Sequence, residues 1–159
     1  MTKTLTLIRH ATADTPAQVS DHQRPLSAKG LAQVKRARSE LHMRANKTEY
    51  IYCSDAVRTR QTAEQLHRQL GYAATVDYRS ELYLASQDTL LACVNATPNQ
   101  FQHVAVIAHN PGLSELCSQL TGQYGMRLST CAIVTLQLAV DDWCAVECSI
   151  ATSSQYFAG

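Results

Sequence analysis

The 159-residue sequence carries almost no net charge, +1 with 14 basic and 13 acidic residues. No global field therefore draws it to nucleic acid or to an anionic membrane, and any preference for an anion must come from a local site. Long apolar runs are also missing. The one before Arg9 is too short to read as a signal peptide or to cross a bilayer, so a soluble, cytoplasmic protein is expected. There is no CxxC pair with a histidine at ligand spacing and no cluster of carboxylates, which argues against zinc, magnesium or any other metal and predicts activity without a cofactor. No internal repeat, low-complexity tract or linker interrupts the chain. With 45% hydrophobic residues, a chain of this length is expected to form one domain over residues 1–159 around one substantial core. The six cysteines, Cys53, Cys93, Cys117, Cys131, Cys144 and Cys148, fall at expected strand and helix positions and are read as reduced thiols.

What is present is a set of strand ends. Residues 4–12, Thr-Leu-Thr-Leu-Ile-Arg-His-Ala-Thr, begin as a buried strand and stop on Arg9-His10. Tyr50-Ile51-Tyr52-Cys53-Ser54 is a second apolar strand running into a helix start that bears Arg58. Val104-Ala105-Val106-Ile107-Ala108 is a third, running into His109-Asn110-Pro111-Gly112. Taken singly, each residue has an ordinary reading, as a surface arginine or a structural histidine. Together they deliver two arginines and two histidines to the rim where open α/β sheets bind ligands.

This pattern resembles the histidine phosphatase superfamily, and within it the SixA-like phosphohistidine phosphatase branch. The resemblance rests on Arg9-His10-Ala11, on Ser54-x3-Arg58-x2-Gln61-Thr62-Ala63 and on His109-Asn110-Pro111-Gly112. It implies an α/β, phosphoglycerate mutase-like fold, with Arg9, Arg58 and His109 binding phosphate and His10 as the nucleophile. Ala11 stands where the superfamily's best-known motif has glycine, as it often does in the SixA-like branch.

The remaining elements follow from periodicity and punctuation. Residues 11–26 form a long polar connection containing Asp14, Pro16, Asp21, His22, Arg24 and Pro25, and a loop of that length is usually functional. Ser27 caps a helix with Leu31, Val34 and Leu41 inward and Lys35, Arg36, Arg38 and Glu40 outward. A second helix is expected from Ser54 or Asp55 to Gly71, with Thr59, Thr62, Ala63, Leu66 and Leu70 inward. A weak strand at 74–76 leads to Glu81-Leu82-Tyr83. A helix capped by Ser86 or Asp88 carries Leu90, Leu91 and Val94 and stops near Pro98. Asn110 as N-cap and Pro111 as first helical residue open a helix that buries Leu113, Leu116, Cys117 and Leu120 up to Gly122. Segments 130–140 and 143–150 read as a hairpin turning at Asp141-Asp142, with Cys144, Val146, Cys148 and Ile150 on one buried face. The sum is a three-layer sandwich: a mostly parallel central sheet flanked by helices, ending in an antiparallel hairpin.

In the chemistry these residues permit, arginine forks bind the equatorial phosphoryl oxygens while His10 attacks in line. Arg9, Arg58, His109 and Asn110 are the expected phosphate contacts, with His109 a further donor if protonated. The neighbouring arginines are expected to keep His10 neutral. His22, His42, His67 and His103 are read as solvated or structural. Glu81 and Asp14 are the candidates for a general acid. An ester leaving group needs such an acid, whereas the imidazole of a phosphohistidine needs it much less. The leading substrate is therefore a phosphorylated protein carrying phosphohistidine. The rivals are a small phosphorylated metabolite cleaved by a phosphomonoesterase, and a catalytically idle module that only binds phosphoproteins.

Overall fold

The computed structural model describes residues 2–43 and 47–159. Six strands, β1 Lys3–Arg9, β2 Tyr50–Ser54, β3 Thr75–Arg79, β4 His103–Ala108, β5 Ile133–Leu138 and β6 Ala151–Phe157, form one sheet in the order β3-β2-β4-β1-β5-β6. The first four run parallel to one another, and β5 lies antiparallel to both β1 and β6. The four helices are α1 Ala28–Met43, α2 Val57–Leu70, α3 Gln87–Asn95 and α4 Gly112–Thr121. Among the described residues no helix is long and apolar enough to cross a membrane.

Strand alternation makes the three layers. Leu5, Leu7, Val104, Val106, Leu136 and Leu138 point to one face and pack with Leu90 and Val94 of α3 and Leu113, Leu116 and Leu120 of α4. Ile8, Ile51, Ala105, Ile107 and Ile133 point to the other and pack with Val34, Ala37 and Leu41 of α1 and Ala63, Leu66 and Leu70 of α2. Both faces are therefore covered, as a parallel sheet requires. Because β2, β4 and β1 are neighbours, their carboxyl ends open side by side, and the segments following them meet at one rim.

The expected elements differ from the structure in four places. Leu31 is 52% exposed, since the inward stripe of α1 is Gly30, Gln33, Val34, Ala37 and Leu41. Gly30 belongs there because a Cβ on it would lie 2.1 Å from the Thr12 carbonyl oxygen, so only glycine lets α1 close on the backbone just past His10. The second helix starts at Val57, because Ser54 ends β2 and Thr59 turns its hydroxyl back onto the Ser54 and Ala56 carbonyls. Asn110 does not cap α4, whose N-cap is Pro111. Its side chain instead donates to the Leu128 carbonyl at 2.9 Å and accepts from the Ser114 hydroxyl at 2.7 Å.

The fourth difference is the hairpin. Residues 143–150 are not a strand. Trp143 opens a short 3-10 turn, Trp143–Ala145, fully buried with its indole donating to the Phe101 carbonyl at 2.8 Å. Cys144 and Cys148 are exposed, not buried as a strand face would have them. The antiparallel partner of β5 is β6, the polar edge stretch Ala151–Phe157.

Candidate active site

His10 lies one residue past β1, and its backbone is gripped from both sides. Its N–H donates to the Ala108 carbonyl and its own carbonyl accepts from Cys131 N–H. The loop behind it is fastened by the motif residues of α2 and by a buried glutamine. Ala11 N–H donates to the Thr62 hydroxyl at 3.1 Å, Leu26 N–H to Gln61 Oε1 at 2.7 Å, and Thr12 N–H to Gln33 Oε1 at 2.9 Å. The Gln-Thr pair after Arg58 thus orders the segment that follows His10.

The imidazole of His10 has one consistent tautomer. Nδ1 lies 2.8 Å from the Ala11 carbonyl, which can only accept, so Nδ1 carries the proton and Nε2 the lone pair. Arg58 Nε lies 3.4 Å from that Nε2. Burial lowers the His10 pKa to about 4, aided by the positive charges of Arg58 and Arg9. Arginines were expected to keep this ring neutral; they contribute, but desolvation is the larger cause.

His109, at the end of β4, packs its ring 5.0 Å from that of His10. Burial first, then His10 and Arg58, push its pKa down to about 3. It is therefore neutral, so the protonation on which its role as a further donor was conditional is not met near pH 7. A Ser54 hydroxyl 2.8 Å from Nε2 can donate there, leaving a proton on Nδ1. His109 Nδ1 and Arg9 Nε are both buried without a protein hydrogen-bond partner, and an oxyanion would accept from both. Arg9 is anchored through Nη1 to the Leu128 carbonyl at 2.9 Å. A cavity of about 590 Å3 opens along it, lined by Arg9, Asn110, Pro111, Arg127, Leu128 and Ser129.

Arg58 is 3% exposed and is held by Asp21 of the polar connection 11–26. Its Nη1 donates to the Asp21 carbonyl at 2.6 Å and its Nη2 to Asp21 Oδ2 at 2.9 Å. Tyr83 also donates its hydroxyl to Oδ2, while Arg24 donates to Oδ1 at 2.9 Å. The Tyr83 hydrogen bond first, then those of Arg24 and Arg58, hold the Asp21 carboxyl well below the usual carboxylate range. The Tyr83 ring meets His109 edge-on at 5.4 Å and His22 at 4.8 Å. His22 bonds Asp55 at 2.8 Å, so it belongs to the rim of this cluster rather than to open solvent. A buried arginine needs an anion, and that rule applied to Arg58 could have directed attention to an acid in the 11–26 segment.

The two expected acids lie elsewhere. Glu81 is exposed, 3.8 Å from Arg79, and Asp14 is exposed and accepts from Thr15 N–H. The carboxylate that touches Arg58 is Asp21. Burial raises the thiols of Cys93 and Cys117 to about 11, that of Cys131 to about 12 and that of Cys53 further still, so none supplies a thiolate near neutral pH.

Three histidines are thus kept neutral by burial, because His103 is also lowered to about 4. Below the ordinary value near 6.5, the unfolded chain takes up protons that these rings refuse until roughly pH 4. Stability is then highest above pH 6.5 and falls as pH drops through that window. Tm is expected to fall by on the order of 10 °C between pH 7 and pH 4.5, and the His10 ring should titrate near 4 by NMR. A ring titrating at 6.5 would show that it is solvated.

Residues 5–83 match the model of the histidine phosphatase superfamily (branch 1). An uncharacterized protein of Mycobacterium leprae (strain TN), ML1117, is 29% identical over 119 residues, which cover 72% of this chain and 71% of that protein. The solved structure of a proposed phosphohistidine phosphatase SixA from Nakamurella multipartitia is 27% identical, with a TM-score of 0.83 over 98% of this chain and 96% of that one. The protein histidine phosphatase SixA complexed with tungstate, 23% identical, shares the fold at a TM-score of 0.82, over 98% of this chain and 96% of its own. With its strand-end arginines and histidines gathered at one rim of a sheet of this topology, the chain matches the histidine phosphatase superfamily over residues 5–83 and shares its fold throughout.

Proposed function

We propose that this protein is a phosphatase that works through a phosphorylated His10 and acts on protein phosphohistidine. His10 Nε2 attacks phosphorus, the bond from phosphorus to the leaving nitrogen breaks, and water then cleaves the new P–N bond to release phosphate. Arg9, Arg58 and the Nδ1–H of His109 supply donors for the phosphoryl oxygens. His10 needs no general base, since its Nε2 is already unprotonated.

The observation that carries the substrate class is Asp21. It is the carboxylate in contact with the phosphate arginine, and three hydrogen-bond donors keep it ionised, so it has no proton to give. Expelling an alkoxide from a phosphate ester requires such a proton. Expelling imidazole does not, because the second ring nitrogen can be protonated before the P–N bond breaks. The neighbours named for SixA and for protein histidine phosphatase favour the same substrate.

The test is a comparison of kcat/KM for a phosphohistidine-bearing protein, phosphoramidate and sugar phosphates in excess chelator. A missing general acid predicts a preference of at least about 100-fold for the P–N substrates, with the chelator without effect. Faster release from sugar phosphates would assign the chain to small metabolites, and no turnover on any of them would leave a module that only binds phosphoproteins.

A further inference from the structure

We propose that Asp21 is the positioning residue for Arg58. It fixes the outer edge of the guanidinium so that the Nε edge faces His10 Nε2 at 3.4 Å, beside the atom that a transferring phosphoryl group must reach. The inference rests on the phosphatase reading above and assigns a role to a loop residue that makes no bond to His10 or His109.

Guanidinium offers five N–H groups on a planar fork. Asp21 takes one from each terminal nitrogen, through its carbonyl at 2.6 Å and its Oδ2 at 2.9 Å. Two bonds to one residue stop the plane from rotating about its long axis, which a single bond would permit. The orientation so fixed is the one that sends Nε to within 3.4 Å of His10 Nε2. Asp21 is itself held: Tyr83 and Arg24 take one carboxylate oxygen each, and the Asp21–Gln23 3-10 turn sets its backbone carbonyl. Arg24 is tied in turn to the Asp14 carbonyl at 2.8 Å and the Thr15 hydroxyl at 3.1 Å. The Tyr83 ring lies 5.8 Å from the Arg58 carbon centre, closing the remaining side. The long polar segment 11–26 thus works as a brace that reaches across to α2, and Tyr83 links it to the ring of His109.

Electrostatics separates this role from a simple charge effect. Asp21 is an anion beside an anion-binding pocket, so removing its charge alone would tighten an oxyanion. If its main effect is aim, removing it loosens the oxyanion despite the charge gained. Misplacement of a positioned group by about 1 Å can cost on the order of 100-fold in rate.

The experiment compares Asp21→Ala, Asp21→Asn and Tyr83→Phe, each in the wild-type and the Arg58→Ala backgrounds, by phosphoramidate kinetics, tungstate calorimetry and thermal melting. Asp21→Ala is expected to lower kcat/KM by about 30-fold or more, chiefly through kcat, and to weaken tungstate about tenfold. Asp21→Asn, which keeps an acceptor for Nη2, should recover part of the loss, and Tyr83→Phe should lose less than Asp21→Ala. In the Arg58→Ala background each substitution should change either quantity by less than about threefold, because its effect passes through Arg58. Equal losses in both backgrounds, or tighter tungstate in Asp21→Ala, would overturn the proposal. Should Asp21→Ala not fold, Tyr83→Phe in the two backgrounds decides it alone. If the wild type leaves phosphoramidate intact, the phosphatase reading fails while the tungstate comparison still tests the brace.

Discussion

His10→Ala is expected to abolish turnover, by at least about 1000-fold, while tungstate still binds within about tenfold of the wild type. In the proposed mechanism the imidazole supplies the atom that bonds to phosphorus, while the buried thiols stay protonated, Asp21 is committed to Arg58 and the lone pair of His109 is met by the Ser54 hydroxyl. The oxyanion donors survive the substitution, since Arg9 is anchored to Leu128 and Arg58 to Asp21 independently of the ring. The loop should survive as well. His10 is tied down through its backbone, by Ala108 and Cys131, so the variant keeps those bonds. Rapid quenching of the wild type should trap a phosphate that is lost in acid, retained in base and mapped to His10. A variant with substantial residual rate, or phosphate trapped on a cysteine, would remove the nucleophile assignment and leave the shared fold.

The parts of this site that were legible in the sequence are those written into short segments. Arg9 ends an apolar strand, His10 and His109 each follow one directly, and Arg58 lies in the first turn of the helix after another, so each position was fixed by one local pattern, and the parallel order of β2, β4 and β1 does the rest. The inward stripe of α2 was equally readable, because Thr59, Thr62, Ala63, Leu66 and Leu70 repeat at helical spacing and all are buried. The same holds for Ser86, which caps α3 by accepting from Thr89 N–H.

What escaped depends on contacts between distant segments. Asp21 sits in a polar stretch without period, and its partner is 37 residues away; only the need of a buried guanidinium for an anion hints at it. Cys144, Val146, Cys148 and Ile150 look like the inward face of a strand. Trp143 and Val146 are apolar because the turn plugs the core beneath Phe101, while the true edge strand, Ala-Thr-Ser-Ser-Gln-Tyr-Phe, is mostly exposed and shows no alternation. An edge strand needs only backbone partners on one side, so its composition is weakly constrained. Asn110 had the composition of a cap, but Leu128 and Ser114 claim its amide, and neither is visible from the local sequence. Glu81 lies close in sequence to the site, two residues before Tyr83. Its side chain turns out to Arg79 because the 3-10 turn Ser80–Leu82 buries Leu82 and sends its neighbour outward.

Arg58→Ala should fail differently from His10→Ala, and the contrast tests the division of labour between them. Removing the guanidinium takes away a donor used by the bound phosphoryl group and by the transition state, so both affinity and rate fall. It also removes the bonds to the Asp21 carbonyl at 2.6 Å and to its Oδ2 at 2.9 Å, leaving the carboxylate to Arg24 and Tyr83. Finally it withdraws a positive charge that helps hold His10 neutral, so the His10 pKa should rise from about 4 and the acid limb of the rate profile should move up with it. Taken together, kcat/KM is expected to fall about 1000-fold and the tungstate Kd to rise at least about 30-fold. Lysine should not restore activity: one ammonium on a flexible stem cannot serve Asp21 on one edge and the phosphoryl oxygens on the other. If Arg58→Ala raised KM while leaving kcat unchanged, Arg58 would be a ground-state anchor alone, and the 3.4 Å approach of its Nε to His10 would carry no catalytic meaning.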